Sequence, residues 1–269
     1  MFEGLTFVMT QLRALIFDVD GTLADTERDG HRVAFNRAFA EAGLDWEWDV
    51  ALYGKLLAIT GGKERIRHYL DHYNTGFRRP AQWQEFIAAL HQAKTRHYTA
   101  LMAAGGVPLR TGVRRLLTEA RAAGLHLAIA TTTTPENISA LLENVQPPVP
   151  LSWFEVIAAG DVVAAKKPAP DIYHYALQHL GLRPEQCVAF EDSGNGIRSA
   201  RAAGLTTLVT TNDYTHDHDF DGARLVLDHL GEPDQPFRVL QGELPAADKR
   251  YVDVDLLHVL PSRASKAAP

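Results

Sequence analysis

Short apolar runs alternate with helix-like stretches along most of this chain, and the runs end in polar or turn residues. The first run, 14–17, is bounded by turn residues, which is typical of a strand buried on both faces. Similar runs lie at 125–130, 156–159, 187–190, 206–209 and 225–227. Strands that alternate with helices predict βαβ units, right-handed crossovers and a parallel sheet, and hence an α/β fold.

One long stretch departs from this alternation. Residues 25–104, called the helical insertion below, have helical patterns and no convincing strand. Gly105-Gly106 then marks a boundary. The sequence therefore predicts two domains, a core formed by 1–24 and 105–269 and a helical domain formed by 25–104. The helical patterns within the insertion lie at 49–58, 62–73 and 81–104.

Composition narrows the classes of function. With 46% hydrophobic and 22% charged residues, the chain resembles an ordinary soluble globular protein. It has no apolar run of the ~18–20 residues that a membrane span needs. Its net charge of −6 argues against general nucleic-acid binding and requires a locally positive site for any anionic substrate. Cys187 is the only cysteine, which excludes an intramolecular disulfide, and residues 1–10 lack the basic residues of a secretory signal. We expect a cytoplasmic monomer.

Two carboxylates, Asp18 and Asp20, follow the first predicted strand. Spaced two residues apart, they project to the same side of an extended chain, at the strand end where open parallel sheets bind ligands. Two like charges at a buried strand end are costly unless a cation or a proton compensates them. The alternative is an Asp20-Gly21 turn that closes a hairpin. Polar residues at the other strand ends favour the first interpretation.

Glu191 and Asp192 end another predicted strand. Together with Asp18 and Asp20 they form a set of oxygen-only side chains. Hard oxygen ligands without His or Cys favour Mg²⁺, which retains waters and a substrate phosphate oxygen as further ligands. The alternative is that Glu191-Asp192-Ser193 caps the next helix, a role that is compatible with metal binding.

Two further segments offer groups that can bind an anion. Thr131–Thr134 precede a helix, so their hydroxyl and backbone N–H groups can hold phosphate oxygens or simply cap the helix. We favour the phosphate role for Thr131. Pro168 restricts the direction of Lys167, which makes Lys167 the candidate for balancing charge beside the carboxylates. We interpret Lys166 as a solvated surface residue.

Within the helical insertion, residues 61–65 (Gly-Gly-Lys-Glu-Arg) form a candidate specificity loop. The two glycines allow backbone to approach a ligand closely. Lys63 and Arg65 can bind an anion on a protein that is otherwise acidic. The alternative is a loop before a helix whose Lys and Arg side chains face solvent.

Four motifs carry a family resemblance: FDVDGTLADTE (17–27), LAIATTT (127–133), KKPAPD (166–171) and AFEDSGNGIRSA (189–200). In this order they resemble the haloacid dehalogenase superfamily of phosphohydrolases. The resemblance implies a Rossmann-like, doubly wound parallel sheet with a small α-helical cap inserted after the first strand. Residues 43–69 are similar to the CbbY-like phosphatases, a branch associated with Calvin-cycle operons.

The resemblance also implies roles for individual residues. Asp18 is then the nucleophile that forms an aspartyl phosphate. Asp20 is the general acid and base, with a pKa that burial and the neighbouring carboxylate can raise. Mg²⁺ is held by Asp18, the Asp20 carbonyl and Asp192, with Glu191 close by. The implied substrate contacts are Asp25, Gly61, Gly62, Lys63, Arg65, Thr131, Thr132 and Lys167.

The implied reaction is Mg²⁺-dependent hydrolysis of a sugar phosphate, with xylulose 1,5-bisphosphate giving xylulose 5-phosphate and phosphate. A phosphosugar mutase similar to β-phosphoglucomutase uses the same groups, but it isomerises its substrate without releasing phosphate. A phosphatase for another small ester, such as phosphoglycolate, is a further alternative. Asp20 and the oxygen-rich cluster disfavour a haloacid dehalogenase, and the presence of Asp18 and Lys167 disfavours a non-catalytic binding protein.

Overall fold

A seven-stranded sheet lies at the centre of the molecule. The computed structural model describes residues 11–246 and 248–260, so the predicted ends of the core domain, 1–10 and 261–269, lie outside the described residues. The strands are β1 (Ala14–Phe17), β2 (His126–Ala130), β3 (Val156–Ala158), β4 (Cys187–Glu191), β5 (Thr206–Thr210), β6 (Leu225–Leu227) and β7 (Val239–Gly242). Their order is β3-β2-β1-β4-β5-β6-β7, and all neighbours are parallel except β7, which pairs antiparallel with β6.

Helices account for most of the remaining regular structure. In the described residues the α-helices are α1 (Arg32–Glu41), α2 (Val50–Leu56), α3 (Gly62–His72), α4 (Trp83–Ala103), α5 (Val113–Ala122), α6 (Pro135–Asn144), α7 (Asp171–Leu180), α8 (Gly194–Ala202) and α9 (Val254–Val259). A π-helical turn at Glu27–His31 leads into α1, and 3₁₀ turns lie at Leu151–Trp153 and Pro184–Gln186. Among these described helices, none combines the length and apolar character needed to cross a membrane.

The two faces of the sheet pack against different helices. Leu15 and Phe17 of β1 belong to an apolar cluster that includes residues of α5, α6 and α9. Ala14 and Ile16 point to the other face, into a cluster with residues of α7 and α8. Because alternate residues of a strand face opposite ways, an apolar run at 14–17 is what a sheet covered on both faces requires. The predicted doubly wound α/β fold is confirmed.

Strand order places a crevice beside β1. From β1 the chain first adds β2 and β3 on one side, and later adds β4, β5 and β6 on the other. The carboxyl ends of β1 and β4 therefore border the position where the winding direction reverses. Ligands of open α/β sheets bind at this position.

The helical insertion has an apolar cluster of its own, which is rich in aromatic side chains such as Phe39, Trp48 and Tyr53. The C-terminal part of α4 leaves this cluster, since Tyr98 and Met102 belong to the cluster that packs on the sheet. Helix α4 thus contacts both parts of the molecule. The division into two domains stays a prediction.

Most predicted elements are confirmed with small shifts at their ends. The helix predicted at 62–73 spans Gly62–His72, and the helix predicted at 81–104 spans Trp83–Ala103. Strand β7 was not predicted. Its four residues are all exposed and show no alternation of apolar and polar positions, so the sequence carries no strand signal there.

Candidate active site

The carboxyl ends of the strands bring the predicted polar residues together. Asp18 follows β1, Thr131 follows β2, Glu191 ends β4 with Asp192 next to it, and Lys167 precedes α7. These side chains line one cleft. The helical insertion covers the cleft from the other side. Further lining residues include Asp20, Glu27, Thr60, Arg65, Thr132, Asn195 and Asn212.

Lys167 links two of the carboxylates. Its Nζ donates to Asp18 Oδ1 at 2.7 Å and to Glu191 Oε1 at 2.6 Å, and the residue is only 5% exposed. Burial by itself lowers the pKa of Lys167, but the two carboxylates outweigh it and raise the pKa above the ordinary value. Lys166 instead donates to Gly160 O at 2.6 Å and to Asp161 Oδ1 at 2.5 Å. Of the two adjacent lysines, Lys167 is the one that reaches the cleft.

Asp18, Glu191 and Asp192, called the acidic cluster below, each place a carboxylate oxygen within 4.8 Å of the other two. Burial raises the pKa of Asp18 to about 7 in spite of Lys167, and burial together with Asp18 and Glu191 raises the pKa of Asp192 well above its usual value. Glu191 Oε2 is buried without a hydrogen-bond partner among the described residues. Asn212 donates to Asp192 Oδ2 at 2.7 Å. This excess of buried negative charge and the unpaired oxygen fit a divalent cation.

The carboxylate of Asp20 is directed away from the acidic cluster. Its Oδ1 accepts hydrogen bonds from Thr26 Oγ1 at 2.5 Å and from His31 Nε2 at 2.8 Å. Lys94 Nζ lies 2.6 Å from Nδ1 of the same imidazole. Burial raises the pKa of Asp20, but the attraction to His31 and these hydrogen bonds dominate and lower it below the ordinary value. The expectation of a raised pKa for Asp20 is therefore wrong for this arrangement.

Thr131 takes part in the sheet as well as in the cleft. Its backbone N–H donates to Ala158 O at 2.9 Å, so of the two groups predicted to bind phosphate only its hydroxyl remains available. That hydroxyl accepts a weak hydrogen bond from the Thr133 N–H at 3.3 Å. The sequence argument that backbone N–H groups at this helix start bind phosphate therefore does not extend to Thr131 itself.

Arg65 reaches the cleft from the helical insertion. It is 7% exposed, and its guanidinium donates to Tyr53 Oη at 2.9 Å. The Tyr53 hydroxyl in turn donates to Glu27 Oε2 at 2.5 Å. The Nε group of Arg65 is buried without a partner among the described residues. Gly61 and Gly62 line a small cavity that adjoins the cleft.

Two predicted substrate contacts are not brought to the cleft. Lys63 Nζ pairs with Asp161 Oδ2 at 2.6 Å, which joins the helical insertion to the loop after β3. Asp25 pairs with Arg110, with 3.3 Å between Asp25 Oδ1 and Arg110 Nε, and the Asp25 side chain is 58% exposed. In this conformation neither side chain lines the cleft.

Several residues around the site were not predicted from the sequence. Thr26 and His31 follow Asp20 closely in the chain, so their proximity was a usable signal. Glu27 ends the first quoted motif, but its carboxylate was not considered. Lys94 had no signal, because only the packing of α4 brings it to His31.

Comparison with known proteins assigns the chain to a family. The family model of haloacid dehalogenase-like hydrolases matches residues 12–204, which carry all four motifs. The chain belongs to the haloacid dehalogenase-like hydrolases. The predicted resemblance is confirmed.

Individual relatives agree with this assignment. The chain is 50% identical to the protein CbbY (plasmid) of Cupriavidus necator over 249 residues, covering 91% of this chain and 95% of that protein. It is 31% identical to the fructose-1-phosphate phosphatase YqaB of Escherichia coli, covering 72% and 94%. A crystal structure of a mutant CbbY from Rhodobacter sphaeroides in complex with xylulose-(1,5)bisphosphate matches with a TM-score of 0.76, at 48% identity, covering 81% and 95%. The protein is an enzyme of the phosphatase class, as predicted.

Proposed function

We propose that this protein is a Mg²⁺-dependent sugar-bisphosphate phosphatase that hydrolyses xylulose 1,5-bisphosphate. The observation that carries the proposal is the pairing of two charged walls across one cleft. Lys167 and the acidic cluster form one wall, and Arg65, whose Nε group has no hydrogen-bond partner in the described part of the chain, belongs to the other. A bisphosphate needs one site for the reacting phosphate and a second cationic site for the other. The ligand in the Rhodobacter sphaeroides structure has this chemistry.

The acidic cluster is the proposed Mg²⁺ site. Asp18, Glu191 and Asp192 would supply carboxylate oxygens, and the backbone carbonyl of Asp20 would add a further ligand. When bound, Mg²⁺ would offset the buried carboxylates and the negative charge on the phosphoryl oxygens. The raised pKa values of Asp18 and Asp192 support the need for such a cation.

The chain's own groups divide the reaction into two steps. An oxygen of Asp18 forms a bond to phosphorus while the bond from phosphorus to the ester oxygen breaks, which yields an aspartyl phosphate. Lys167 and the Thr131 hydroxyl hold the phosphoryl oxygens. Water then attacks phosphorus and gives a proton to Asp20, while the bond from phosphorus to the Asp18 oxygen breaks, so that inorganic phosphate leaves and the Asp18 carboxylate is restored.

Asp20 is the proposed proton donor to the leaving oxygen, and its present contacts set a condition on this role. The carboxylate now accepts hydrogen bonds from Thr26 and His31, which favour its ionised form. For catalysis Asp20 must take up a proton and turn from these partners toward Asp18. The other substrate contacts that the resemblance implies, including Asp25 and Lys63, stay predictions. The monomeric state and the cytoplasmic location also stay predictions.

A phosphate-release assay with Mg²⁺ tests the proposal. The panel is xylulose 1,5-bisphosphate, ribulose 1,5-bisphosphate, a pentulose monophosphate and β-glucose 1-phosphate. We expect the highest kcat/KM with xylulose 1,5-bisphosphate and no turnover for Asp18→Asn or in EDTA. Isomerisation of β-glucose 1-phosphate without phosphate release would assign the mutase reaction instead.

The role of Arg65 is tested with a matched pair of variants. Arg65→Met should lower kcat/KM for the bisphosphate by about 10- to 100-fold, because a charged hydrogen bond is worth ~1.5–3 kcal/mol, and should affect the monophosphate less. Arg67 lies on the same helix but pairs with Gln84 and Glu64 outside the cleft, so Arg67→Met is the control. Equal losses for both substrates, or for both variants, would reject Arg65 as a second phosphate contact.

A further inference from the structure

Asn195 connects two distant parts of the chain at the edge of the cleft. It lies in the first turn of α8, three residues after Asp192. Its Nδ2 donates to Ala58 O at 3.0 Å and to Thr60 Oγ1 at 3.0 Å, both in the helical insertion. Its Oδ1 accepts a hydrogen bond from Arg198 at 2.5 Å, one turn along the same helix. Arg198 thereby orients the amide so that its N–H groups face the insertion.

The bond to Thr60 falls directly before α3. Gly61 follows with φ +97°, a conformation that favours glycine, and its carbonyl accepts a hydrogen bond from the Arg65 N–H at 2.9 Å. The bond to Thr60 therefore anchors the chain directly before α3, whose first turn carries Arg65. Since Asn195 is close in sequence to Asp192, a short path of bonded groups joins the acidic cluster to Arg65.

We propose that Asn195 is a positioning residue that sets the separation between Arg65 and the acidic cluster. It acts through Thr60 on the start of α3 and does not act on the reacting phosphoryl group. The inference rests on the proposed function, because a substrate with an anionic group at each end requires both walls of the cleft at a fixed spacing.

Removing this contact should leave the fold intact. Asn195 is only partly buried, and the Lys63–Asp161 ion pair at 2.6 Å attaches the same segment independently. Asn195→Ala is therefore expected to change the position of the segment before α3 more than the stability of the fold. Thr60→Val removes the hydroxyl on the other side of the same bond, and Thr60→Ser retains it.

Kinetics with two substrates give the first readout. The probes are xylulose 1,5-bisphosphate and p-nitrophenyl phosphate, which has no second phosphate. We expect Thr60→Val to lower kcat/KM for the bisphosphate by up to about tenfold, the effect of one lost hydrogen bond, mostly through KM. Asn195→Ala also loses the bond to Ala58 O and should lower kcat/KM at least as much. Activity on p-nitrophenyl phosphate should be retained, Thr60→Ser should behave like wild type, and the double variant should be no worse than Asn195→Ala alone.

Hydrogen–deuterium exchange gives a second readout that does not depend on activity. Asn195→Ala should speed exchange of the amides of residues 59–65 in protein without Mg²⁺, and leave α8 unchanged. Equal kinetic losses on both substrates, additive losses in the double variant, or unchanged exchange would overturn the positioning role. If the wild-type enzyme releases phosphate from neither substrate, the proposed function is wrong, and exchange alone decides whether Asn195 holds the segment.

Discussion

Replacing Lys167 by Met removes a charge from the most strongly charged part of the interior. The Met side chain is of similar length, so most of the packing is kept, but two buried carboxylates lose their ammonium partner. Lys167 lies 2.7 Å from Asp18 and 2.6 Å from Glu191, whose side chains are 11% and 1% exposed. Breaking a buried ion pair in this way costs about 3–5 kcal/mol of unfolding free energy, because an uncompensated charge remains.

The loss should depend on pH in a defined direction. The pKa of Asp18 is about 7 in the folded protein against 3.8 ordinarily, and removing Lys167 would raise it further. A raised carboxyl pKa means that the stability contribution is fully present below pH 3.8 and is lost as the pH rises through about 7. The destabilisation by Lys167→Met should therefore be greater at pH 8 than at pH 5, by up to about 1.4 kcal/mol, the linkage value of the one pH unit above 7.

Urea unfolding followed by circular dichroism in EDTA measures this effect. Lys166→Met is the matched control, since Lys166 bonds Gly160 O and the largely exposed Asp161, and its loss should cost at most about 1 kcal/mol. Saturating Mg²⁺ should restore part of the stability of Lys167→Met, because a bound cation offsets the same carboxylates. Equal destabilisation by the two variants, or a Lys167→Met deficit that is the same at pH 8 and pH 5, would refute the reasoning.

Three further outcomes are expected. Asp20→Asn should lower kcat by roughly 10²-fold or more while calorimetry finds unchanged Mg²⁺ affinity, because its carboxylate lies outside the acidic cluster. Arg110 donates to several backbone carbonyls, including those of Gly21 and Asp228, so Arg110→Met should cost ~3 kcal/mol or more in urea unfolding. Burial lowers the pKa of His91 from 6.5 to about 3, so its contribution to stability is present above pH 6.5 and lost as the pH falls. The wild type should lose about 2 kcal/mol more than His91→Gln between pH 8 and pH 5, measured by urea unfolding.

The sequence predicted the sheet side of the cleft because one geometric rule applies to all of it. Parallel strands place their carboxyl ends at one edge, so Asp18, Thr131 and Glu191 could be brought together before any tertiary contact was known. Lys167 followed from its place before Pro168. Apart from Lys167, these predictions depended on residues that lie directly at the ends of recognisable strands.

The other side of the cleft could not be predicted in the same way. Its geometry depends on how helices of the insertion dock, and helical periodicity gives a buried face but not its partner. The pairing of Lys63 with Asp161 joins residues far apart in the chain, and the lowered pKa of Asp20 depends on His31. Of the two basic residues in the predicted specificity loop, Lys63 therefore forms a salt bridge outside the cleft, whereas Arg65 lines the cleft.

The aromatic cluster of the helical insertion has a spectroscopic consequence. Three of the four tryptophans, Trp46, Trp48 and Trp83, lie in the insertion, and the first two are buried in its cluster, whereas Trp153 packs near the sheet. Intrinsic fluorescence therefore reports mainly on the insertion, while far-ultraviolet ellipticity sums over the whole chain. Tryptophan emission recorded alongside ellipticity therefore distinguishes unfolding of the insertion from unfolding of the sheet, without any added label.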